Sequence, residues 1–458
     1  MLGEGFTMGV VESRSPQNPA DVVASAPAAG GAGVAEAVRR AREAQRGWAG
    51  ANAAERASAL SSAAAAVAGA AGELAALAVR EVGKPITEAK GEVARAAAIL
   101  RYYSQQVFDP VGAVHEPSGS GLSYTRRRPH GVAGLITPWN FPLAIPLWKA
   151  APALAFGNAV VLKPAPQALG CALRLAELLG LPEDVFQVVP GDAEEGVALI
   201  EAADVISFTG SAAVGRKVAV AAVGRGVPVQ AEMGGQNPSV VLDDANLEAA
   251  AGQIAAAAFG YAGQKCTATK RVITVGNGAE VREALVAAIA KLGVGDPADP
   301  GTAVGPVIER EARDRVLAAT AGGRVLAGGQ ALDRDGWFAA PTLVDGAEPG
   351  HVLAREEVFG PICLVQDAGS VEEAVALANG VPYGLASAVY TRDLDRALEV
   401  SSRLESGLVK VNTPTTGVDF YLPFGGEKDS SYGPREQGKA AQEFYTTTHT
   451  IAIAPAGN

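Results

Sequence analysis

Val132-Ala-Gly-Leu-Ile-Thr-Pro-Trp-Asn-Phe-Pro142 decides the fold. An uninterrupted apolar run stops at a proline-rich turn, and a helical pattern follows over 142–156. The unit recurs. Ala159-Val-Val-Leu, Val185-Phe-Gln-Val-Val and Val205-Ile-Ser-Phe are runs of the same kind, with helical patterns over 167–180, 192–202 and 212–223. None of them alternates strictly between apolar and polar, so each reads as a strand covered on both faces. Strands spaced by helices in this way form a parallel, doubly wound α/β sheet. Such a sheet binds ligands beyond the carboxyl ends of its strands, so the turns after the strands are where chemistry is expected.

A second series of strand-like runs follows: Ser239-Val-Val-Leu, Arg271-Val-Ile-Thr, Arg324-Val-Leu, Cys363-Leu-Val and Ser387-Ala-Val-Tyr. Two α/β halves therefore meet near Glu232–Gly235. Ahead of them, residues 33 to about 107 are helical, with Val34, Val38 and Ala41, then Leu60, Val67, Leu74 and Leu77, recurring at helix spacing. Gly83-Lys-Pro closes one of these helices. Over 108–130, Pro, Gly and Ser interrupt an alternating stretch, which predicts a hairpin-like excursion from the main body. The tail, Phe444-Tyr-Thr-Thr-Thr-His-Thr-Ile-Ala-Ile, alternates like an edge strand. Exposed edges are normally paired or covered, so an oligomer contact is expected there.

At 458 residues the chain exceeds what one core supports, and two or three domains are expected. A net charge of −11 argues against a nucleic-acid partner, which needs a basic footprint. Three cysteines make no disulfide framework and fit a reducing, cytoplasmic setting. The N-terminus has no basic region followed by an apolar core, so no signal peptide is expected. The longest apolar stretch, 132–162, is broken by Pro138, Asn140, Pro142, Pro146, Lys149 and Pro152, which excludes it as a membrane span.

Cys363 sits in an apolar run and Cys171 in a helical pattern, but Cys266 sits among glycines and polar residues in Gly263-Gln-Lys-Cys. Lys265 beside it is expected to favour thiolate. The loop fits a reactive thiol or an inert buried cysteine. Glu232, 34 positions upstream before Gly234-Gly235, is a candidate general base or a simple helix-cap carboxylate. A cysteine-protease route wants a histidine base, and none of His115, His130, His351 and His449 lies in a motif-like setting. No Cys or His pair has metal-ligand spacing, so no metal is expected. Asn140, just past the strand at 132–136, can donate to an oxyanion. Lys163 closes the next strand. Phe208-Thr-Gly-Ser passes through Gly210 into a helix start, the geometry that accepts a pyrophosphate.

Seven motifs occur in one order: Thr137-Pro-Trp-Asn-Phe-Pro, Lys163-Pro, Phe208-Thr-Gly-Ser, Glu232-Met-Gly-Gly, Gly263-Gln-Lys-Cys, Glu357-Val-Phe-Gly-Pro and Pro423-Phe-Gly-Gly. Together they resemble the non-acylating branch of the aldehyde dehydrogenase superfamily, from about residue 16 onward. The resemblance implies a Rossmann-like cofactor domain (1–113 and 131–235), a catalytic α/β domain (236–441) and β oligomerisation segments (114–130 and 442–458). It implies that Cys266 attacks an aldehyde to give a thiohemiacetal held by the Asn140 amide and its own backbone N–H. Hydride transfer leaves a thioester, which Glu232-activated water hydrolyses to the acid.

For the cofactor, the resemblance implies that Lys163 and Glu357 hold the riboses, with Lys163 also counted in the catalytic set, and that Phe359 lies beside the nicotinamide. Phe208, Thr209, Gly210, Ser211 and Val214 would surround the pyrophosphate end. Ile136, Thr137, Pro138 and Trp139 would lie along the cofactor, with Ala165, Pro166, Met233 and Gly234 completing the set. Relatives preferring NAD usually carry an acid three positions after the lysine, where this chain has Pro166, so NADP is expected to be accepted, with a lean over NAD.

The expected substrate pocket comprises Phe141, Trp148, Phe259, Lys265, Thr267 and Phe420. Thr413-Pro-Thr-Thr-Gly-Val-Asp, Ser430-Ser-Tyr-Gly-Pro-Arg-Glu-Gln-Gly and Ile145-Pro-Leu-Trp-Lys-Ala-Ala-Pro are most similar to α-ketoglutarate semialdehyde (2,5-dioxopentanoate) dehydrogenases. Succinate semialdehyde dehydrogenases commonly carry arginine where Trp148 stands, which disfavours that substrate; aromatic or other small aldehydes are alternatives. A CoA-acylating enzyme generally lacks the Glu232 base, and a non-catalytic homologue has no need of Cys266, Glu232 and Asn140 together. A homodimer or homotetramer is expected.

Overall fold

The computed structural model describes residues 9–348 and 350–456. The first eight residues, read above for a leader, and the last two of the tail lie outside them. The predicted doubly wound sheet is a six-stranded sheet in the order Ser431–Tyr432, Val229–Glu232, Val205–Thr209, Val132–Thr137, Ala159–Pro164, Phe186–Val188. The four central strands are buried along their whole length, as continuous apolar runs require. Their parallel register aligns Ile136 with Lys163 and Phe208, and Thr209 with Glu232. The carboxyl ends of four strands therefore lie level, and the candidate motifs share one rim.

One strand of this sheet comes from an unexpected part of the chain. Residues 431–432, expected in the second half, pair antiparallel with Glu232 and Ala231. They cover an edge that Val229–Glu232 would otherwise leave open, and they bring the 430s against Glu232.

The second sheet has seven strands: Arg324–Ala327, Thr342–Asp345, Ile362–Ala368, Arg271–Val275, Pro238–Val241, Ala386–Tyr390 and Leu408–Val411. All pairings are parallel except the first. Thr342–Asp345 and Leu408–Val411 were not anticipated, because each is four residues long and mixes polar with apolar side chains.

The helical N-terminal region forms Gly30–Gly50, Ala53–Gly69, Ala71–Val82 and Ile86–Gln106. The third helix ends at Gly83 with φ 65°, where a Cβ would come within 2.7 Å of Pro306 and 2.9 Å of Pro16. Only glycine fits that turn. Helix Ala144–Ala155 is buried on every side, which explains its apolar composition and makes Lys149 within it conspicuous. The predicted excursion is Val114–His115 and Leu122–Pro129, and the tail strand Thr446–Ile453 pairs antiparallel with the latter. Phe444 and Tyr445, expected within that strand, precede it and are buried. Among the described residues no single helix is long and apolar enough to cross a membrane.

Candidate active site

The thiol turn is a forced conformation. After helix Leu247–Phe259 the chain enters a tight turn in which Tyr261, Ala262 and Gly263 all have positive φ (56°, 52° and 64°). The first two are non-glycine and cost of order 1–3 kcal/mol each, so the surroundings must impose them. Tyr261 is tied through its hydroxyl to the Val82 carbonyl (3.2 Å) and through its N–H to Ala303 (2.9 Å). The Gln264 side chain, fully buried, accepts from the Ile308 N–H at 2.8 Å. Lys270 Nζ donates to the Gly263 carbonyl (2.7 Å) and the Gly360 carbonyl (3.3 Å), joining the thiol turn to the loop that carries Glu357 and Phe359. Asn237 donates to the carbonyls of Cys266 and Ala268, both at 2.8 Å.

Cys266 borders two cavities. One, of about 290 Å³, extends towards the rim of the first sheet and is also lined by Pro138, Trp139, Asn140, Thr209, Gly210, Ser211, Met233, Gly234, Glu357 and Phe359, all expected there. The other, of about 250 Å³, lies against helix Ile86–Gln106 and the 416–424 segment, and includes Phe141, Trp148, Lys265 and Thr267. Asn140 Nδ2 donates to the Gln264 carbonyl at 2.9 Å. An amide has two N–H donors, so one is left for a ligand beside the sulfur.

Several expectations fail. Lys265 does not favour the thiolate: its ammonium is bound to Glu88 at 2.7 Å. The Cys266 thiol is pushed up to about 12, by burial and by the nearby Glu357 and Glu232 carboxyls, while the Thr267 and Cys266 backbone N–H groups oppose this. Phe259 is fully buried in the core of the second half and borders neither cavity, because the left-handed turn carries the chain away from it. Phe420 packs edge-on against Tyr102 and Tyr421 instead of entering the pocket; Phe424 takes that position. Lys163 lines neither cavity that Cys266 borders, and its Nζ donates to the Pro164 and Gly191 carbonyls on the rim.

Glu232 is buried, and its carboxyl is turned into the floor, where Ser431 Oγ donates to Oε2 and Oε1 has no partner. Burial and the neighbouring Glu436 push its pKa well above the carboxylate range. Glu436 is paired with Lys149, whose Nζ also donates to Ser207 Oγ (2.8 Å) and to the Phe208 carbonyl (3.3 Å). Neither Lys149 nor Glu436 was picked out from sequence. The signal was there: a lysine inside the apolar 132–162 stretch has to be paired if it is buried.

The rim fits a dinucleotide. Thr137 Oγ1 and Thr209 Oγ1 are buried without partners, and Ser211, the N-cap of helix Ala212–Gly224, makes no capping bond with its side chain. Free hydroxyls at a helix start suit a pyrophosphate. A Cβ on Gly234 would fall 1.7 Å from Glu357 Oε2, so the carboxyl lies directly on the glycine backbone. Glu357 is pushed up to about 7 by burial. Phe359, held at φ 52°, meets Trp139 edge-on at 5.8 Å between ring centres. Val214, on the same helix, is exposed at the outer end of the rim. Ile136, Ala165 and Pro166 flank Lys163, whereas the Phe208 ring packs under Gly210 and Gly215 as core.

A thiol set between a rim that fits a dinucleotide and a second cavity is an arrangement that belongs to an oxidoreductase. The aldehyde dehydrogenase family model matches residues 6–451, and the chain belongs to that family. It is 40% identical over 398 residues to the alpha-ketoglutaric semialdehyde dehydrogenase of Bacillus subtilis (strain 168), covering 83% of this chain and 82% of the relative. It is 41% identical over 390 residues to the alpha-ketoglutarate semialdehyde dehydrogenase of Haloferax volcanii, covering 81% and 80%. The structure of PnpE in complex with nicotinamide adenine dinucleotide superposes with TM-score 0.95 at 36% identity, covering 100% of this chain and 97% of PnpE.

Proposed function

We propose that the protein oxidises an aldehyde to the free carboxylic acid with NAD(P)+, through a Cys266 thiohemiacetal and thioester. The observation that carries this reading is that Cys266 borders both cavities, with Asn140 beside it in the first. Its sulfur can meet an aldehyde from one side while the cofactor occupies the other. The free Asn140 N–H and the Cys266 backbone N–H stabilise the oxyanion as it forms, a contribution of about 3 kcal/mol. Bound NAD(P)+ supplies the hydride acceptor. Glu357 would hold the nicotinamide-side ribose, Lys163 the adenine-side ribose and Ser211 the pyrophosphate. Glu232 then rotates from the floor, takes a proton from water and directs it at the thioester.

The substrate we favour is an oxo-acid semialdehyde such as α-ketoglutarate semialdehyde, on the strength of the two relatives with that activity and of the cationic side chains in the second cavity. Succinate semialdehyde is less favoured, because Trp148 stands where its dehydrogenases commonly carry arginine. We also infer NADP use, since Pro166 presents no anion to a 2′-phosphate. We further propose a cytoplasmic homo-oligomer in which 114–130 and 442–456 make subunit contacts. The three unpaired cysteines fit a reducing compartment, and the tail strand is the open edge of its sheet.

The test is a panel of aldehydes, with oxo acids and aromatic members, assayed with both cofactors. Cys266→Ala is expected to abolish oxidation while retaining cofactor binding; intact oxidation would end the proposal. A hundredfold preference for NAD would overturn the cofactor reading alone.

A further inference from the structure

The second cavity holds one charge without a counterion. Four other ionisable groups border it or stand behind it, and they cancel in pairs. Lys265 is bound to Glu88 at 2.7 Å, and Lys84 is bound to Glu92 with both side chains buried. Arg95, from helix Ile86–Gln106, makes no ion pair with any described carboxylate; its guanidinium donates only to the Val418 carbonyl. Beyond them, Lys410 is committed to the carbonyls of Thr416 and Gly417 and feels both Arg95 and the Asp419 carboxylate, so that Lys410 and Asp419 offset one another. The charge of the cavity is therefore positive at the Arg95 end, in a protein of net charge −11.

A second, independent feature lies in the same cavity. Trp148 is 7% exposed and lines the cavity, yet its indole N–H has no acceptor. A buried donor left unpaired is costly, and here an acceptor brought by a ligand would satisfy it. Phe141, Phe424, Thr267 and Thr416 line the same cavity as Trp148, Arg95 and Cys266. A cavity that holds a thiol, two aromatic rings and two unsatisfied donors suits a short methylene chain ending in an acceptor-rich anion.

We propose that Arg95 binds the carboxylate of the substrate remote from its aldehyde, with the Trp148 indole N–H as a second donor, so that the enzyme selects ω-oxo acids. This rests on the aldehyde-oxidising reading above and assigns its specificity to a particular residue. Arg95 does from helix Ile86–Gln106 what an arginine at position 148 would do from helix Ala144–Ala155. Specificity here is a matter of one free guanidinium, the other charges being already neutralised.

The experiment measures kcat/KM of the full-length enzyme for 2,5-dioxopentanoate and for pentanal, a neutral aldehyde of the same chain length. Arg95→Met is expected to lower the ratio of the two constants by about tenfold to a hundredfold, almost all of it through KM for the oxo acid. Arg95→Lys, which keeps the charge but loses the bidentate fork, should recover part of the ratio. Trp148→Phe should lower it by about fivefold. An equal loss for both substrates would overturn the proposal, because it would mean that Arg95 only anchors the loop at Val418. An unchanged ratio would overturn it as well. A wild-type enzyme inert towards both aldehydes would instead sink the aldehyde-oxidising reading on which the proposal rests.

Discussion

Replacing Lys84 by Met isolates a buried cation that links the two halves of the reaction centre. Lys84 and Glu92 are essentially unexposed, at 0% and 1% of side-chain surface. The ammonium lies 3.8 Å from the centre of the Phe141 ring and 4.7 Å from that of Tyr261. Phe141 follows the oxyanion donor Asn140, and Tyr261 is the left-handed residue that starts the thiol turn. Glu92 also accepts the N–H groups of Leu143 and Ala144 at 2.9 Å each, which fixes the start of helix Ala144–Ala155. Burial pulls the Lys84 pKa down, and Glu92 beside it resists this.

Lys84→Met leaves Glu92 as a buried carboxylate without its cation, which costs about 3–5 kcal/mol. In Lys84→Met/Glu92→Gln the amide still accepts from Leu143 and Ala144 and no charge is stranded, so the loss should fall below about 1 kcal/mol. Urea denaturation read by tryptophan fluorescence measures both. Single-turnover hydride transfer should slow in the double variant despite its restored stability, because the cation–π contact that steadies Phe141 is gone. If the single and double variants are equally destabilised, or the double variant transfers hydride at the wild-type rate, Lys84 merely fills space and the reasoning fails.

Two further outcomes follow from the titrating groups. Burial raises the Glu232 pKa and Glu436 raises it further, so acyl-enzyme hydrolysis should increase with pH as the carboxyl ionises. Glu436→Gln removes the like charge and should move that limb to lower pH by about one to two units; a stopped-flow pH profile with an unmoved limb contradicts the assignment. Alkylation of apo-enzyme Cys266 by iodoacetamide should keep rising with pH past the range of an ordinary thiol, about 8.5, since the group is pushed up to about 12. Glu357→Gln should speed alkylation at a fixed alkaline pH, and a plateau near the ordinary value in the wild type would contradict the burial argument.

What was legible in sequence depended on whether the determinant is local. Continuous apolar runs declare buried parallel strands, and these runs put Thr137, Lys163 and Thr209 at strand ends of one rim, which Glu232 joins through the strand Val229–Glu232. Residues whose role is set by a distant partner were opaque. Ser431, Arg435 and Glu436 lie in a stretch that sequence likeness tied to substrate choice, yet all three surround Glu232, because residues 431–432 add a strand to the first sheet. Lys265 sits beside the thiol in sequence, but the left-handed turn delivers its ammonium to Glu88, 177 positions away. Aromatic composition was equally blind to direction: Phe259 is drawn into the core, Phe420 packs half-buried against Tyr102 and Tyr421, and Phe424 enters the pocket.

The same burial that raises Cys266 also raises Glu232 and Glu357, and the thiol feels both carboxyls. A cluster of acids in low dielectric resists more than one negative charge at a time, because each ionisation raises the pKa of the next. Ionised Cys266 and ionised Glu232 together are therefore disfavoured, and the proposed mechanism acquires an order. Cys266 gives up its proton to solvent water while Glu232 stays neutral in the floor, bonded to Ser431. Once the sulfur is tied up in the thioester it carries no charge, and the electrostatic obstacle to ionising Glu232 falls. The base thus becomes competent only after the step that needs it has been set up. A permanently ionised carboxylate beside the thiol would instead suppress the thiolate on which the first step depends. Keeping Glu232 protonated and turned away is, on this argument, a condition for nucleophilic attack.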